Sequence, residues 1–145
     1  MNGASHIMDV TRVIQLAVAP VFLLTALGTL LGVFSTRLAR IVDRARVLDD
    51  RLPALAPERH EAVRAELRLL FRRRRRMNAA IAFATAAALL VCVLIAAAFV
   101  GSLSGWDASH AIAGLFIAAM VAFIGALVAF LAEILLAVSS VRIQR

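Results

Sequence analysis

Three uninterrupted apolar stretches, residues 13–36, 77–100 and 111–138, constrain this chain more than any other feature. Each exceeds the ~20 residues with which a helix crosses a hydrocarbon core ~30 Å thick. Within such a core every backbone polar group must find a partner inside its own segment, which selects the helix. The stretches therefore predict an all-α integral membrane fold, with three transmembrane helices in one domain covering residues 1–145. A chain that is 63% hydrophobic, with the apolar residues gathered in runs, is not built like a soluble domain.

The charge lies almost entirely between the first two stretches. Residues 37–76 hold thirteen of the sixteen arginines against six acids, so this segment alone matches the +7 of the whole chain. Basicity confined in this way marks topology and argues against nucleic acid as a partner. Short basic segments beside a span are retained in the cytoplasm. The N-terminus and the turn over residues 101–110 then face outward, and Arg142 and Arg145 face inward. Trp106 fits an interfacial anchor on the outer side. No basic cluster precedes the first run, which is also longer than a signal-peptide core, so cleavage is not expected. Cys92, the one cysteine, lies amid alanine and leucine in the second span and reads as inert packing.

The basic segment itself has helical periodicity. Leu38, Ile41, Val42, Ala45, Leu48 and Leu52 recur at three- and four-residue spacing, as do Val63, Leu67 and Leu70. Pro53 and Pro57 punctuate the turn between these arms. The spacing predicts a cytoplasmic helical hairpin: the first span continues to about Asp50, and a second long helix starts near Glu58.

The run Ala19-Pro20-Val21-Phe22-Leu23-Leu24, followed by Arg37-Leu38-Ala39-Arg40-Ile41-Val42-Asp43-Arg44-Ala45-Arg46, resembles the bacterial family called domain of unknown function 2721. The resemblance covers most of the chain. It implies a three-span protein of the bacterial inner (cytoplasmic) membrane and carries no activity with it.

Glu133 is the only acid inside a span, and such residues are costly and often functional. At ~1.5 Å per residue it lies ~33 Å along a helix that starts at Ala111. That depth places it near the inner boundary, within reach of Arg37, Arg40 or Arg76. Either a rim ion pair or a proton or cation site fits. Ala118, Ala122, Ala126 and Ala129 share its face, which suits close helix packing or a narrow wall. Thr25, Thr29, Gly32 and Thr36 form a second stripe, with Gly28 and Gly32 as a GxxxG pair. This stripe reads as a packing face or as the lining of a polar path. Pro20 frees the Leu16 carbonyl near the outer end of the span.

Arg37, Arg40, Asp43, Arg44 and Arg46 form a dense charge motif. Pairs between Asp43 and Arg40 or Arg46 within one helix are worth only ~0.2–0.5 kcal/mol each, so the motif points to a contact with the hairpin's return arm or a neighbouring subunit. The run Arg72, Arg73, Arg74, Arg75 and Arg76 points in several directions around a helix and reads as a topology signal contacting anionic lipid headgroups. On the outer side Asp107 and His110, with His6 and Asp9, lack any ligand spacing that supports a metal. No nucleophile–base pair, glycine-rich phosphate loop or carboxylate pair is present, so neither an enzyme nor a cofactor is expected.

Two functions stay open from sequence. Three helices cannot enclose an aqueous path, so conduction of an ion requires a homo-oligomer, with Glu133, the threonine stripe and the arginines as determinants. The alternative is a non-conducting structural or accessory subunit whose basic hairpin docks a cytoplasmic or membrane protein partner.

Overall fold

The computed structural model describes residues 3–105 and 107–142, with side chains for residues 15, 18–105 and 107–138. Trp106 and Arg145 fall outside the described residues, as do the side chains of His6, Asp9, Arg12 and Arg142. The described chain is helical almost throughout: α1 Gly3–Arg51, a short 3-10 turn Leu52–Ala54, α2 Pro57–Ser104 and α3 Ser109–Arg142. All three long helices contain a segment long and apolar enough to cross a membrane. At ~1.5 Å per residue α1 and α2, of 49 and 48 residues, run to ~70 Å each, more than twice a hydrocarbon core. The basic segment supplies most of the excess: it continues both helices rather than interrupting them.

The helix boundaries follow local chemistry. Pro53 cannot extend an α-helix, and the turn closes with the Leu55 amide donating to the Leu52 carbonyl at 3.3 Å. Leu55 is extended (φ −87°, ψ 150°), and Pro57 opens α2 at the first helical position, where a missing N–H costs nothing. Glu58 in the first turn of α2 and Arg51 in the last turn of α1 both suit the helix dipoles. At the other end of α2, Gly105 takes φ +67°, the left-handed conformation that glycine adopts without a Cβ clash. Asp107 then accepts from the Ser109 amide (3.1 Å) and hydroxyl (2.6 Å), a local turn that launches α3. Both bonds hold the exposed Asp107 carboxyl below its ordinary range, the hydroxyl contributing most.

Two boundaries differ from the hydropathy reading. Helix α1 begins ten residues before the first apolar run, at Gly3, and α2 continues to Ser104 with Gly101 buried inside it. Hydropathy marks where lipid solvates a helix, not where the helix ends.

The chain divides into two compact units. The first comprises Met1–Leu30 and Phe83–Ile124, and its buried side chains include Leu27, Ala84, Ala87, Val91, Leu94, Ala108 and Ala119. Most are small, which lets helix backbones approach closely. The second comprises Leu31–Ala82 and Gly125–Arg145 and buries Phe34, Met77, Ala80 and Ala126 together with a hairpin core. In that core Ile41, Leu48, Leu67 and Leu70 pack with Ala45 and Val63, as the three- and four-residue spacing predicted.

Buried positions recur every seven residues: Leu27, Phe34, Ile41 and Leu48 on α1; Leu70, Met77, Ala84 and Val91 on α2; Ala119, Ala126 and Glu133 on α3. Within each unit, buried positions at this spacing are the pattern of helices packed side by side. Little else is inside. Only 17%, 22% and 11% of the most apolar windows of the three spans is buried, so most of their apolar surface faces outward, the reverse of a soluble core. Cys92 belongs to that outward surface and does not pack internally.

Candidate functional site: the buried Glu133 carboxylate

Within the second unit, Glu133 is the one charged side chain with no solvent exposure among the described residues. The seven-residue repeat of α3 turns it inward below Ala126. Taking a carboxylate out of water costs several kcal/mol unless charged donors satisfy it. Here two arginines do so. The Arg37 Nη1 of α1 donates to Oε2 at 3.2 Å, and Arg73 of α2 donates to Oε1 through Nε at 3.1 Å and Nη2 at 2.7 Å. Arg73 is 22% exposed and Arg37 43%, so the cluster reaches solvent through its arginines alone.

Neighbouring groups hold this cluster in place. The Arg37 guanidinium lies 5.2 Å from the centre of the Phe130 ring, and Phe130 tilts against Phe34 at 4.7 Å. A cation over an aromatic face gains ~0.5–1 kcal/mol near a surface. Arg76 donates from Nη1 to the Ala132 carbonyl at 3.0 Å, so α2 grips α3 at two consecutive residues. The site therefore ties three helices to one carboxylate, with one more positive charge than negative.

Sequence reasoning placed Glu133 beside Arg37, Arg40 or Arg76. Arg37 is a partner; the second is Arg73, taken from the run read as a headgroup band. Arg76 reaches the adjacent carbonyl instead of the carboxylate, and Arg40 does not touch it. The signal for Arg73 was in the sequence. It stands three residues after Leu70, which the apolar spacing of the return arm already turned inward, so the two share a helix side. Arg72, Arg74 and Arg75 are exposed.

The charge motif on α1 is also distributed differently from the spacing argument. The contact with the return arm is made by Arg44, whose Nε (3.1 Å) and Nη2 (2.9 Å) both donate to Glu66 Oε1. Asp43 is exposed and forms no ion pair among the described residues, and the same holds for Arg40. Arg46 and Arg74, with Asp49 and Phe71, border a cavity of ≈ 250 Å³ beside the hairpin core. A second cavity, of ≈ 260 Å³, opens directly beside Glu133.

The threonine stripe faces outward. Thr25, Thr29 and Thr36 are exposed, and each hydroxyl donates to the carbonyl four residues back, at 3.2, 3.0 and 2.9 Å. A Cβ added at Gly28 or Gly32 would meet nothing within 4 Å, so among the described residues this GxxxG face packs against no other helix. On α3 the expected small-residue face is only partly inward: Ala126 is buried, Ala122 and Ala129 half-buried, and Ala118 exposed. Asp107, considered with His110, is bonded to Ser109 instead.

Comparison with curated proteins and with solved structures returned no match. The profile of one family, described as protein of unknown function (DUF2721), matches residues 17–143 and so takes in every residue of the Glu133 cluster. The chain belongs to the DUF2721 family.

Proposed function

We propose that this chain is a non-catalytic structural or accessory subunit of the bacterial inner membrane. It works as a homo-oligomer, with the N-terminus outside and the basic hairpin in the cytoplasm, where it docks a protein partner against anionic lipid. The observation that carries this reading is the state of Glu133. The only acid within an apolar window has both oxygens occupied by arginines, and a carboxylate held in this way is a tie between helices. A cation site needs a carboxylate whose charge is available, and here two guanidinium groups already neutralise it. The open Gly28/Gly32 face, with its threonine hydroxyls already satisfied, supports a second copy packing there, since small residues at four-residue spacing allow close approach. The placement of the hairpin rests on its arginines and the rule that positive segments stay inside.

One observation favours conduction instead: the exposed Thr25, Thr29 and Thr36 stripe would line a path if several copies turned it toward a common axis. Flux measurements on proteoliposomes, paired with native mass spectrometry in mild detergent, separate the two. The scaffold reading expects an oligomer and no flux of protons, sodium, potassium or chloride above empty vesicles. Flux that disappears in Glu133→Gln would replace it with the conducting one, and a strictly monomeric protein would remove the homo-oligomer.

A further inference from the structure

The geometry points to a phosphate-binding site in the cavity beside Glu133, built from Arg37, Arg40 and Arg44 on α1 and Arg73 on α2. The three α1 residues stand at three- and four-residue spacing and share one helix face. The cavity of ≈ 260 Å³ has Ile41 and Leu70 as its apolar floor and Glu133 as its only acid. Four guanidinium groups face two carboxylates, Glu133 in the lining and Glu66 paired with Arg44, which leaves an excess of two positive charges around a small space.

Packing does not require that excess. Like charges one helical turn apart are mutually destabilising, and the repulsion grows where apolar surroundings lower the local dielectric. The internal acids neutralise only part of it. Glu133 takes one N–H of Arg37 and two of Arg73, and Glu66 takes two of Arg44. A guanidinium carries five N–H donors, so most remain free, and Arg40 has no ion-pair partner among the described residues.

The donor set selects the class of ligand. Planar guanidinium forks match phosphate oxygens in pairs, and forks arriving from two helices suit a tetrahedral anion better than a flat carboxylate. The volume is below the ~300–1,000 Å³ of sites for drug-sized ligands and suits a phosphate group, any larger attached part lying outside the cavity. The apolar floor suits the carbon next to a phosphoester. The phosphate of an anionic lipid headgroup and free inorganic phosphate share this chemistry. Arg37 and Arg73 are fixed beforehand by Glu133, so little side-chain ordering remains to be done on binding. The site needs only one chain, and its fate is independent of the proposed oligomer.

Native mass spectrometry of the full, delipidated chain in a neutral detergent tests the site. It is titrated separately with inorganic phosphate, short-chain phosphatidylglycerol and short-chain phosphatidylcholine. The expected result is saturable binding of one phosphate or one phosphatidylglycerol per chain, weakened at least tenfold in Arg40→Gln and less than twofold in Arg75→Gln. Arg40 is exposed and bonds nothing that holds the fold, so its variant keeps its structure, checked by an unchanged melting temperature. Saturation by phosphate alone identifies a soluble ligand, and saturation by phosphatidylglycerol alone identifies a lipid headgroup. Absence of saturable binding in both arms overturns the site. So does equal weakening in Arg40→Gln and Arg75→Gln, or phosphatidylcholine binding as tightly as phosphatidylglycerol.

Discussion

Among the described residues, only the second of the chain's two units encloses a charged side chain. In the unit of Met1–Leu30 and Phe83–Ile124 the buried set includes Ala84, Ala87, Ala108 and Ala119, and the carboxylate of Asp107 is exposed in a turn. In the unit of Leu31–Ala82 and Gly125–Arg145 the buried set includes Phe34, Ile41, Leu70 and a fully buried Glu133 held by two arginines. The same functional group thus shapes a surface turn in one unit and ties three helices in the other. Alanine seams gain stability from dispersion at close range and tolerate no added volume. An ionic tie depends on all its members being present, because the loss of one leaves the rest uncompensated.

Substitution within each unit sharpens that contrast. The largest effect is expected from Glu133→Ala, which removes the acid that Arg37 and Arg73 share amid clustered guanidinium groups and should cost up to about 3–5 kcal/mol in reversible unfolding in detergent. A cost under about 1 kcal/mol would mean that water reaches the cluster and the tie is weak. A smaller effect, about 1–3 kcal/mol, is expected from Ala87→Leu, because Ala87 has no exposed surface and a larger side chain must push two helices apart. If Ala87→Leu is neutral, the alanine seam is not closely packed and the contrast between the units fails at its apolar end.

Much of this architecture was legible in sequence, for identifiable reasons. Three apolar runs and two proline-marked arms depend on local composition and spacing, and the three helices, the hairpin and its Ile41/Leu48/Leu67/Leu70 core emerge as read. Glu133 and Arg37 were also legible, since counting residues along a helix fixes depth. Arg73 was missed because the five arginines were read as neighbours in sequence, scattered around a helix. Read from Leu70, three residues earlier, Arg73 falls on the inward side of the helix. The threonine stripe shows a different limit. A helical wheel groups Thr25, Thr29, Gly32 and Thr36 correctly but does not say whether their face meets another helix of the chain, and here it does not. Cys92 repeats that lesson, since alanine and leucine beside it in sequence are not walls around it in space.

The central claim is that Glu133 is a structural tie and not a free carboxylate. A double-mutant cycle with Glu133→Gln and Arg73→Gln, read by reversible unfolding in detergent, measures it directly. A shared ionic tie gives a coupling of at least about 1 kcal/mol between the two positions. Additivity within about 0.3–0.5 kcal/mol would contradict it, because side chains that do not share an interaction lose their contributions independently.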